Sequence, residues 1–416
     1  MHNSVFDRMA FAALCVFVAS IPVEKLIEVP GLGTVSRIAG LLCAAFGLLA
    51  IVVARKIRRP GITLIVSAVW VAWICASKYW TLSVDDTADR VGTHTQLLMI
   101  AVLLWQFCTT ASHVRIIAMS YGVGIAYSAG NTVYRWLTGA GQVYYQRFAV
   151  EGFDPNDLAL TLALGIPFLY WLSLTATSRK AAWMWRALIG VAAFNIFLTA
   201  SRGGVLAMSV AFLFVPWTFR ALGRTDRVLL MIGAVIAAVG LVAVVPATSW
   251  QRIATLGKEA KEGTLNSRTV IWSAGFEAFT EHPVAGVGSG AFPESIRSTM
   301  GRPRDWAPVA HNTFLSILVE TGLTGFAIFL LLGATLIWHI RRMPWMEARM
   351  WIILLAVWTV GVSALSWEHR KPTWLLFTLL PAHAAATAVN ASRTVRYSNR
   401  YEIASENNNN EVLVTA

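Results

Sequence analysis

The chain changes from polar to strongly apolar at residues 308–338, which read PVAHNTFLSILVETGLTGFAIFLLLGATLIW. From Thr313 onwards this run has one carboxylate, Glu320, and no basic residue, and it is long enough to cross a hydrocarbon core of about 30 Å. Because backbone groups in lipid must be hydrogen-bonded within their own segment, the run predicts a transmembrane helix. The stretch before it, from Trp250 to Asn312, is the only long polar region between apolar runs.

Apolar runs of similar length recur along the whole chain. Hydrophobic residues make up 56% of the sequence and charged residues 13%, whereas a soluble domain carries about 25% charged residues. We therefore predict an all-α polytopic membrane protein, with about twelve transmembrane helices in a domain over residues 1–391. The predicted spans are 9–23, 34–54, 61–77, 96–112, 114–133, 156–177, 182–200, 203–220, 228–247, 313–338, 348–366 and 372–391.

Lys and Arg are more frequent in one set of connecting loops than in the other. By the positive-inside rule the basic set is cytoplasmic, so we expect both termini and the polar tail of residues 392–416 in the cytoplasm. Residues 248–312 then form a long loop on the outer side, between spans 9 and 10. The same rule accounts for the net charge of +12, so nucleic-acid binding is not expected. The basic loops are residues 55–59, 179–180, 220–227 and 341–342.

The long outer loop contains a predicted amphipathic helix over residues 265–281. Asn266 or Ser267 could cap it, and His282-Pro283 would end it. A glycine-rich turn, residues 286–290, follows. Such a loop is long enough to fold over the membrane surface as a lid. The apolar residues of the predicted helix are Val270, Ile271, Ala274, Phe276 and Phe279.

His311 stands at the outer mouth of the span that begins at Thr313. An unperturbed imidazole has a pKa near 6.5, which suits a general base at neutral pH. Asn312 can cap the following helix, which leaves the imidazole available for chemistry. The alternative is a histidine that merely tolerates the membrane interface.

Arg202 lies between two predicted spans and is followed by Gly203 and Gly204. A charge so close to hydrocarbon costs about 2–3 kcal/mol unless it is paired or hydrated. The glycines favour close approach of a ligand to the backbone at the start of the next helix, where amides can bind an anion. The alternative is an arginine that extends to the interface without a ligand.

Two further arginines lie on the outer side. Arg147 belongs to an aromatic loop, and Arg268 lies near the start of the predicted amphipathic helix. Each alone would be interpreted as a solvated surface charge. Together with Arg202 and His311 they indicate recognition of a phosphate or pyrophosphate, because planar guanidinium groups form two-point hydrogen bonds with such anions.

Other polar residues are weaker candidates. The spacing of Asp85, Asp86 and Asp89 matches no metal-binding pair, so we predict no metal site and no cofactor. The four cysteines lie in or near apolar spans and are expected to act as small hydrophobic residues without disulfides. Residues 368–371, Glu-His-Arg-Lys, fill a short outer loop and are a secondary candidate for substrate contact.

The ordered set of motifs resembles the O-antigen ligase family, within the ligase and polymerase superfamily of bacterial envelope glycans. The resemblance is strongest over residues 195–340, and it does not separate ligases from polymerases. The matching pieces are Ser201-Arg202-Gly203-Gly204, Asn266-Ser267-Arg268, Gly286-Val287-Gly288-Ser289-Gly290 and His311-Asn312-Thr313-Phe314, followed by Glu320-Thr321-Gly322.

The resemblance implies a membrane-embedded, GT-C-like glycosyltransferase of the bacterial inner membrane that needs no metal. It would move an O-antigen glycan from undecaprenyl pyrophosphate, the lipid donor, to the lipid A-core, on the periplasmic face and with inversion. Carried over onto this sequence, His311 is the base, and Arg202 and Arg268 hold the pyrophosphate. Arg147 joins them on a looser motif.

Three alternatives remain open. An O-antigen polymerase would use a glycan chain as acceptor, and a protein O-oligosaccharyltransferase would use a protein. A lipid or glycan transporter would place its charges along a pathway through the spans, whereas the arginines here gather at one membrane face.

Overall fold

The computed structural model describes residues 4–24, 26, 28–29, 33–140, 147–254, 268–301 and 308–389. These residues are mostly helical, with one two-stranded antiparallel sheet, β1 (Glu28–Val29) and β2 (Gly33–Thr34). Short 3-10 helices cover Ile21–Val23, Ser77–Tyr79 and Phe219–Ala221. The α-helices are α1 (Val5–Ser20), α2 (Val35–Ala54), α3 (Ile62–Ala76), α4 (Val84–Phe107), α5 (Ala111–Thr138), α6 (Pro155–Leu174), α7 (Arg179–Leu198), α8 (Arg202–Phe212), α9 (Phe214–Thr218), α10 (Arg224–Val244), α11 (Ala247–Ala254), α12 (Arg268–Glu281), α13 (Phe292–Ser295), α14 (Arg297–Met300), α15 (Thr313–Ile340), α16 (Trp345–Val362) and α17 (Lys371–Val389).

Ten helical segments of the described chain are long and apolar enough to cross a membrane, which confirms the predicted all-α polytopic fold. The remaining predicted spans, 96–112 and 114–133, fall largely on α4 and α5, which are 24 and 28 residues long and more polar. The ten segments are Val5–Val23, Val35–Ala54, Ile62–Tyr79, Pro155–Leu174, Arg179–Leu198, Arg202–Ala221, Arg224–Val244, Thr313–Ile340, Trp345–Val362 and Lys371–Val389.

The structure shows that the stretch between the predicted spans 61–77 and 96–112 is not all loop. Helix α4 begins at Val84, well before the apolar run that starts at residue 96. Asp85 and Asp86 occupy its first turn, where the partial positive charge of a helix N-terminus favours carboxylates. The Ser83 hydroxyl donates to the Asp86 carboxylate over 2.5 Å. The acidic residues between the two predicted spans therefore start a helix.

Helix α6 lies at the centre of the bundle, with every residue from Leu158 to Ser173 buried. A helix that is apolar all round is expected to be covered on all sides, and α5, α7, α8 and α16 pack against it. Gly204 of α8 has no room for a Cβ beside the Cβ of Ala159. This close approach brings the first turns of α6 and α8 together.

Helix α10 is the opposite case. None of its side chains whose burial is described is buried, so its apolar surface is available to lipid. The span before it is interrupted: α8 ends at Phe212, and α9 begins at Phe214. Pro216 explains the break, because it has no N–H to donate to the carbonyl of residue 212.

Helix α15 is broken at Gly322, whose φ of 64° and ψ of −171° are not helical. The glycine-rich turn fills this break: the Val287 and Gly288 amides donate to the carbonyls of Val319 and Glu320, each over 3.0 Å. The Leu323 amide in turn donates to the Pro283 carbonyl over 2.8 Å. A break in a membrane helix is tolerated where its backbone groups find partners within the protein.

A helix is present within the predicted residues 265–281, as α12, and it ends before His282 as expected; it is not amphipathic, because its apolar residues do not share one face. Residues 265–267, including both candidate caps, lie outside the described residues. Ile271, Ala274 and Ala278 are buried against the glycine-rich turn and α15, whereas Val270 and Phe276 are exposed. The buried residues of α12 hold it against the first half of α15.

Replacing Gly322 with alanine should lower the apparent melting temperature in detergent. The positive φ disfavours any side chain, and a Cβ would clash with the carbonyl of Val284, so we expect a loss of about 2 kcal/mol or more. Gly333→Ala is the matched control, because it lies in the same helix with nothing within 4 Å of its Cβ position. It should melt no lower than wild type, since alanine favours helices over glycine. Equal melting of the two variants would contradict the steric account.

Candidate active site

The predicted site residues gather where several helices end at one face of the bundle. Trp367, between α16 and α17, donates its Nε1–H to Asp157 in the first turn of α6 over 2.8 Å. Thr313, the first residue of α15, donates its hydroxyl to the Leu365 carbonyl over 2.8 Å. Arg147 donates its Nε–H to the carbonyl of Thr199, just after α7, over 2.8 Å. The starts of α6, α8 and α15 therefore share one face with the ends of α7 and α16.

Three arginines, Arg202, Arg252 and Arg268, line one pocket at this face. We call it the arginine pocket. Arg202 and Arg268 were predicted from the sequence, and the structure brings them together although they are far apart along the chain. The remaining lining residues are Asn156, Leu160, Ser201, Gly203, Gly204, Gly361, Ala364 and Leu365.

Arg202 is the first residue of α8, and a strained backbone sets its position. Ala200 has a φ of 48°, in the left-handed region that non-glycine residues seldom adopt. Ser201 then caps α8 by accepting the Gly204 amide over 3.2 Å. The Ser201 hydroxyl also donates to the Asn156 side-chain oxygen over 2.9 Å. The entry to α8 is thus tied to the start of α6 at the edge of the arginine pocket.

Arg268 and His311 come together through α12. Trp272 donates its indole N–H to the carbonyl of Ala310 over 2.9 Å, which fixes α12 beside the residue before His311. Arg268 is four residues before Trp272, so both lie on one face of the helix. Asn312 accepts the amides of residues 314 and 315 over 3.0 and 3.2 Å, which confirms the predicted cap of α15.

His311 is itself in a strained conformation, with a φ of 46°. Such strain costs about 1–3 kcal/mol and persists where the surroundings impose it. Burial and then the positive charge of Arg268 lower the pKa of His311 from its ordinary 6.5, whereas Asp154 and Asp157 oppose this. The imidazole is therefore neutral at pH 7 and able to accept a proton.

Arg147 lies behind the arginine pocket rather than in its lining. Its side chain is buried, and its Nη2 donates to the Asn156 oxygen over 2.8 Å. Burial first, and then the charges of Arg252 and Arg202, lower the pKa of Arg147 to about 10, with Asp154 opposing. It remains charged at neutral pH. Its direct contact with a pyrophosphate stays a prediction, while its observed contacts hold Asn156 in the lining.

Arg252 was not predicted from the sequence. It lies in the last turn of α11, within the polar segment that the sequence singled out. No motif surrounds it, and only a survey of every arginine in that segment would have raised it as a candidate. Asp157, which acts electrostatically on His311, was likewise not predicted from the sequence.

The secondary candidates at residues 368–371 are engaged with protein groups. Glu368 is buried and contacts Nδ1 of His369 at 3.0 Å. Arg370 forms an ion pair with Asp157 at 2.9 Å, and Lys371 forms one with Glu24. Across the described ranges, no group of three or more His, Cys, Asp and Glu side chains is arranged to hold a metal ion.

Fold and site together define a multi-pass membrane protein with an arginine-lined pocket and a nearby neutral histidine at one face. Residues 187–330 match the family model for O-antigen ligase, which confirms the predicted resemblance over that part of the chain. The match includes all three arginines of the arginine pocket and His311, but not Arg147.

A similar protein is the exopolysaccharide production protein ExoQ of Rhizobium meliloti (strain 1021), which is 30% identical over 194 residues. The similarity covers 43% of this chain and 43% of that protein. The chain thus matches less than half of the length of this curated relative.

Proposed function

We propose that this protein is an O-antigen ligase, which transfers the O-antigen polysaccharide from undecaprenyl pyrophosphate to the lipid A-core oligosaccharide. It acts in the bacterial inner membrane, with the arginine pocket facing the periplasm and both termini in the cytoplasm. The similarities to the O-antigen ligase family and to a protein of exopolysaccharide production support a ligase- or polymerase-type reaction on polysaccharides.

The observation that carries the proposal is the convergence of three guanidinium groups beside a neutral imidazole. Arg147 adds a fourth positive charge close behind. Positive charges that are brought together repel one another. An anion with several negative charges offsets this repulsion, so it suits such a site. Planar guanidinium groups match phosphate oxygens through paired hydrogen bonds. A pyrophosphate-linked lipid at the membrane face meets both requirements.

The chemistry then needs one base and a counter-charge. The acceptor hydroxyl oxygen attacks the anomeric carbon, and the bond from that carbon to the pyrophosphate oxygen breaks with its electron pair on the leaving group. His311 takes the hydroxyl proton and later releases it to solvent. The leaving pyrophosphate gains one negative charge, which Arg202, Arg252 and Arg268 stabilise. Attack opposite the leaving group inverts the anomeric centre.

The proposed reaction is metal-independent, because the arginines supply the counter-charge that a divalent cation would otherwise provide. Purified enzyme with lipid-linked donor should keep its rate in excess EDTA. A magnesium-supplemented sample is the control. If EDTA abolished transfer and magnesium or manganese restored it, metal independence would be wrong.

The periplasmic orientation predicts which residues a membrane-impermeant thiol reagent reaches in intact cells with a permeabilised outer membrane. In a cysteine-free background, Glu281→Cys on α12 should be labelled, and Thr177→Cys between α6 and α7 should not. Both positions are exposed in the structure, so they differ in side rather than accessibility. Disruption of the inner membrane should make both reactive. Labelling of residue 177 alone in intact cells would reverse the orientation.

The proposed function is tested by comparing the lipopolysaccharide of cells that lack the protein with that of wild-type cells. Loss of a ligase leaves lipid A-core without O-antigen and accumulates polymer on the carrier lipid. Both are visible by gel electrophoresis, and a plasmid copy should restore the ladder. Unchanged lipopolysaccharide in the deletion strain would refute the ligase proposal.

The similarity to a protein of exopolysaccharide production favours a second candidate, a polymerase that uses a growing glycan chain as acceptor. The arginine pocket and His311 would serve it equally, because only the acceptor differs. Cells lacking a polymerase would carry a single repeat unit on the core or lose a secreted polysaccharide, whereas cells lacking a ligase would carry none on the core.

A further inference from the structure

We propose that Asp157 is a positioning residue for His311, with its fixed carboxylate stabilising the imidazolium that forms when His311 accepts the proton of the acceptor hydroxyl. The inference rests on the proposed function, in which His311 is the base. It concerns a residue that neither the sequence motifs nor the comparisons assign.

Two directional contacts fix the Asp157 carboxylate. Its Oδ1 accepts the Trp367 indole N–H over 2.8 Å, and its Oδ2 is 2.9 Å from Nη2 of Arg370. The Asp157 side chain is only 15% exposed. Both carboxylate oxygens are therefore oriented, and solvent screens the charge only in part.

The same tryptophan connects Asp157 to the segment of His311. The Trp367 backbone amide donates to the Thr313 hydroxyl over 2.7 Å, and Thr313 is two residues after His311. Trp367 itself is buried. The start of α6 and the start of α15 are thus held together by one buried residue, through its indole and its backbone amide.

Three charges act on His311 from the elements around it. Arg268 on α12 disfavours the imidazolium, whereas Asp154 and Asp157 on α6 favour it. Asp154 is exposed and caps α6, accepting the Asn156 amide over 2.8 Å. Salt can screen the charge of Asp154, and its carboxylate is already engaged in capping α6. Asp157 is less exposed and has directional partners, so it is the better source of a lasting counter-charge.

The Asp157 carboxylate affects the reaction rate only as the acceptor hydroxyl transfers its proton to His311. Before attack, His311 is neutral and gains little from a carboxylate. As the acceptor hydroxyl loses its proton, positive charge develops on the imidazole near the cationic arginine pocket. A fixed negative charge lowers the energy of that state more than that of the ground state, which is the condition for a faster reaction. Arg370 partly neutralises Asp157, so its removal should strengthen the effect.

The test is the titration of His311 in purified full-length protein, followed by the pH dependence of its modification by diethyl pyrocarbonate. The reagent attacks the neutral imidazole, and mass spectrometry of the His311 peptide reports the midpoint pH. Asp157→Asn should move the midpoint to lower pH, since it removes a negative charge that favours the imidazolium. Arg370→Gln should move it up. These opposite directions are not expected of a merely structural role.

Asp226→Asn is the matched control, because Asp226 also pairs with an arginine, Arg186, but in a region distant along the chain. It should leave the midpoint unchanged. In a transfer assay, Asp157→Asn should lower turnover at least about 10-fold and move the acid limb of the pH profile to lower pH.

An unchanged His311 midpoint in Asp157→Asn, or in Arg370→Gln if the first variant does not fold, overturns the proposal. The titration needs no substrate, so this failure is distinct from failure of the proposed function. Full transfer activity in His311→Ala would refute the base assignment even if the titration responded as expected.

Discussion

Replacing His311 with alanine is expected to lower the rate of glycosyl transfer by about 10²–10⁴-fold, which is the usual contribution of a positioned base. Donor binding should be almost unchanged, because the arginine pocket does not include the imidazole in its lining. The measurement is a single-turnover assay with lipid-linked donor, alongside equilibrium binding of inorganic pyrophosphate to the same preparation. A large loss of turnover with intact binding is the expected signature.

The pH dependence follows from the same residue. Burial and Arg268 lower the pKa of His311 below 6.5, so the neutral base predominates at pH 7. The rate should fall as the pH drops through that lowered pKa, because the protonated imidazole cannot accept a proton. In His311→Ala this acid limb should disappear from the residual activity.

The strained backbone at His311 offers a control for misfolding. His311→Gly removes the imidazole and also relieves the positive φ of 46°, since glycine adopts that conformation without a steric cost. Its melting temperature should equal or exceed that of wild type while its activity matches that of His311→Ala. Full turnover in either variant would disprove the base assignment and direct attention to an acidic residue of the same face.

The second large effect is expected at the arginine pocket. Alanine at Arg202, Arg252 or Arg268 should each lower kcat by about 10²–10³-fold, as does removal of one charge-stabilising donor from other transfer enzymes. These variants should also bind pyrophosphate more weakly, because the arginines meet charge in the ground state and more of it in the transition state. Pyrophosphate binding thus distinguishes the arginine variants, in which it is weakened, from His311→Ala, in which it is almost unchanged.

Lysine at the same positions tests the geometry of the contacts. Arg202→Lys should restore little activity, because an ammonium group cannot reproduce the two-point contact of a guanidinium group. The matched control is Arg297→Ala, which removes a half-exposed arginine of the same polar segment that pairs with Glu294 and lies outside the pocket lining. It should retain full activity. Wild-type kinetics in Arg252→Ala would remove that residue from the proposed site.

The sequence by itself determined the membrane class, most of the helices and the Asn312 cap of α15. These features depend on local properties: an apolar run of sufficient length must be helical in lipid, and Asn312 caps α15 through its nearest amides. The sequence also identified Arg202 and His311 as candidates, because a charged or ionisable residue at a span boundary is conspicuous, and Arg268 as a charge near the start of the predicted loop helix. The predicted span 96–112 started too late for α4, which begins at Val84, because the first half of this helix is polar and carries no apolar run.

Only the tertiary structure decided which of these residues meet. Arg252 joins Arg202 and Arg268 because α11 ends, and α8 and α12 begin, at one pocket, and no local pattern encodes that convergence. Arg147 lies behind the lining because Thr199 and Asn156 hold its guanidinium there. The Asp157 carboxylate, whose charge favours protonation of His311, is held by Trp367, which is 210 residues away along the chain. Such relations follow from how helices pack around α6, since side chains from distant segments approach one another only after the bundle has formed.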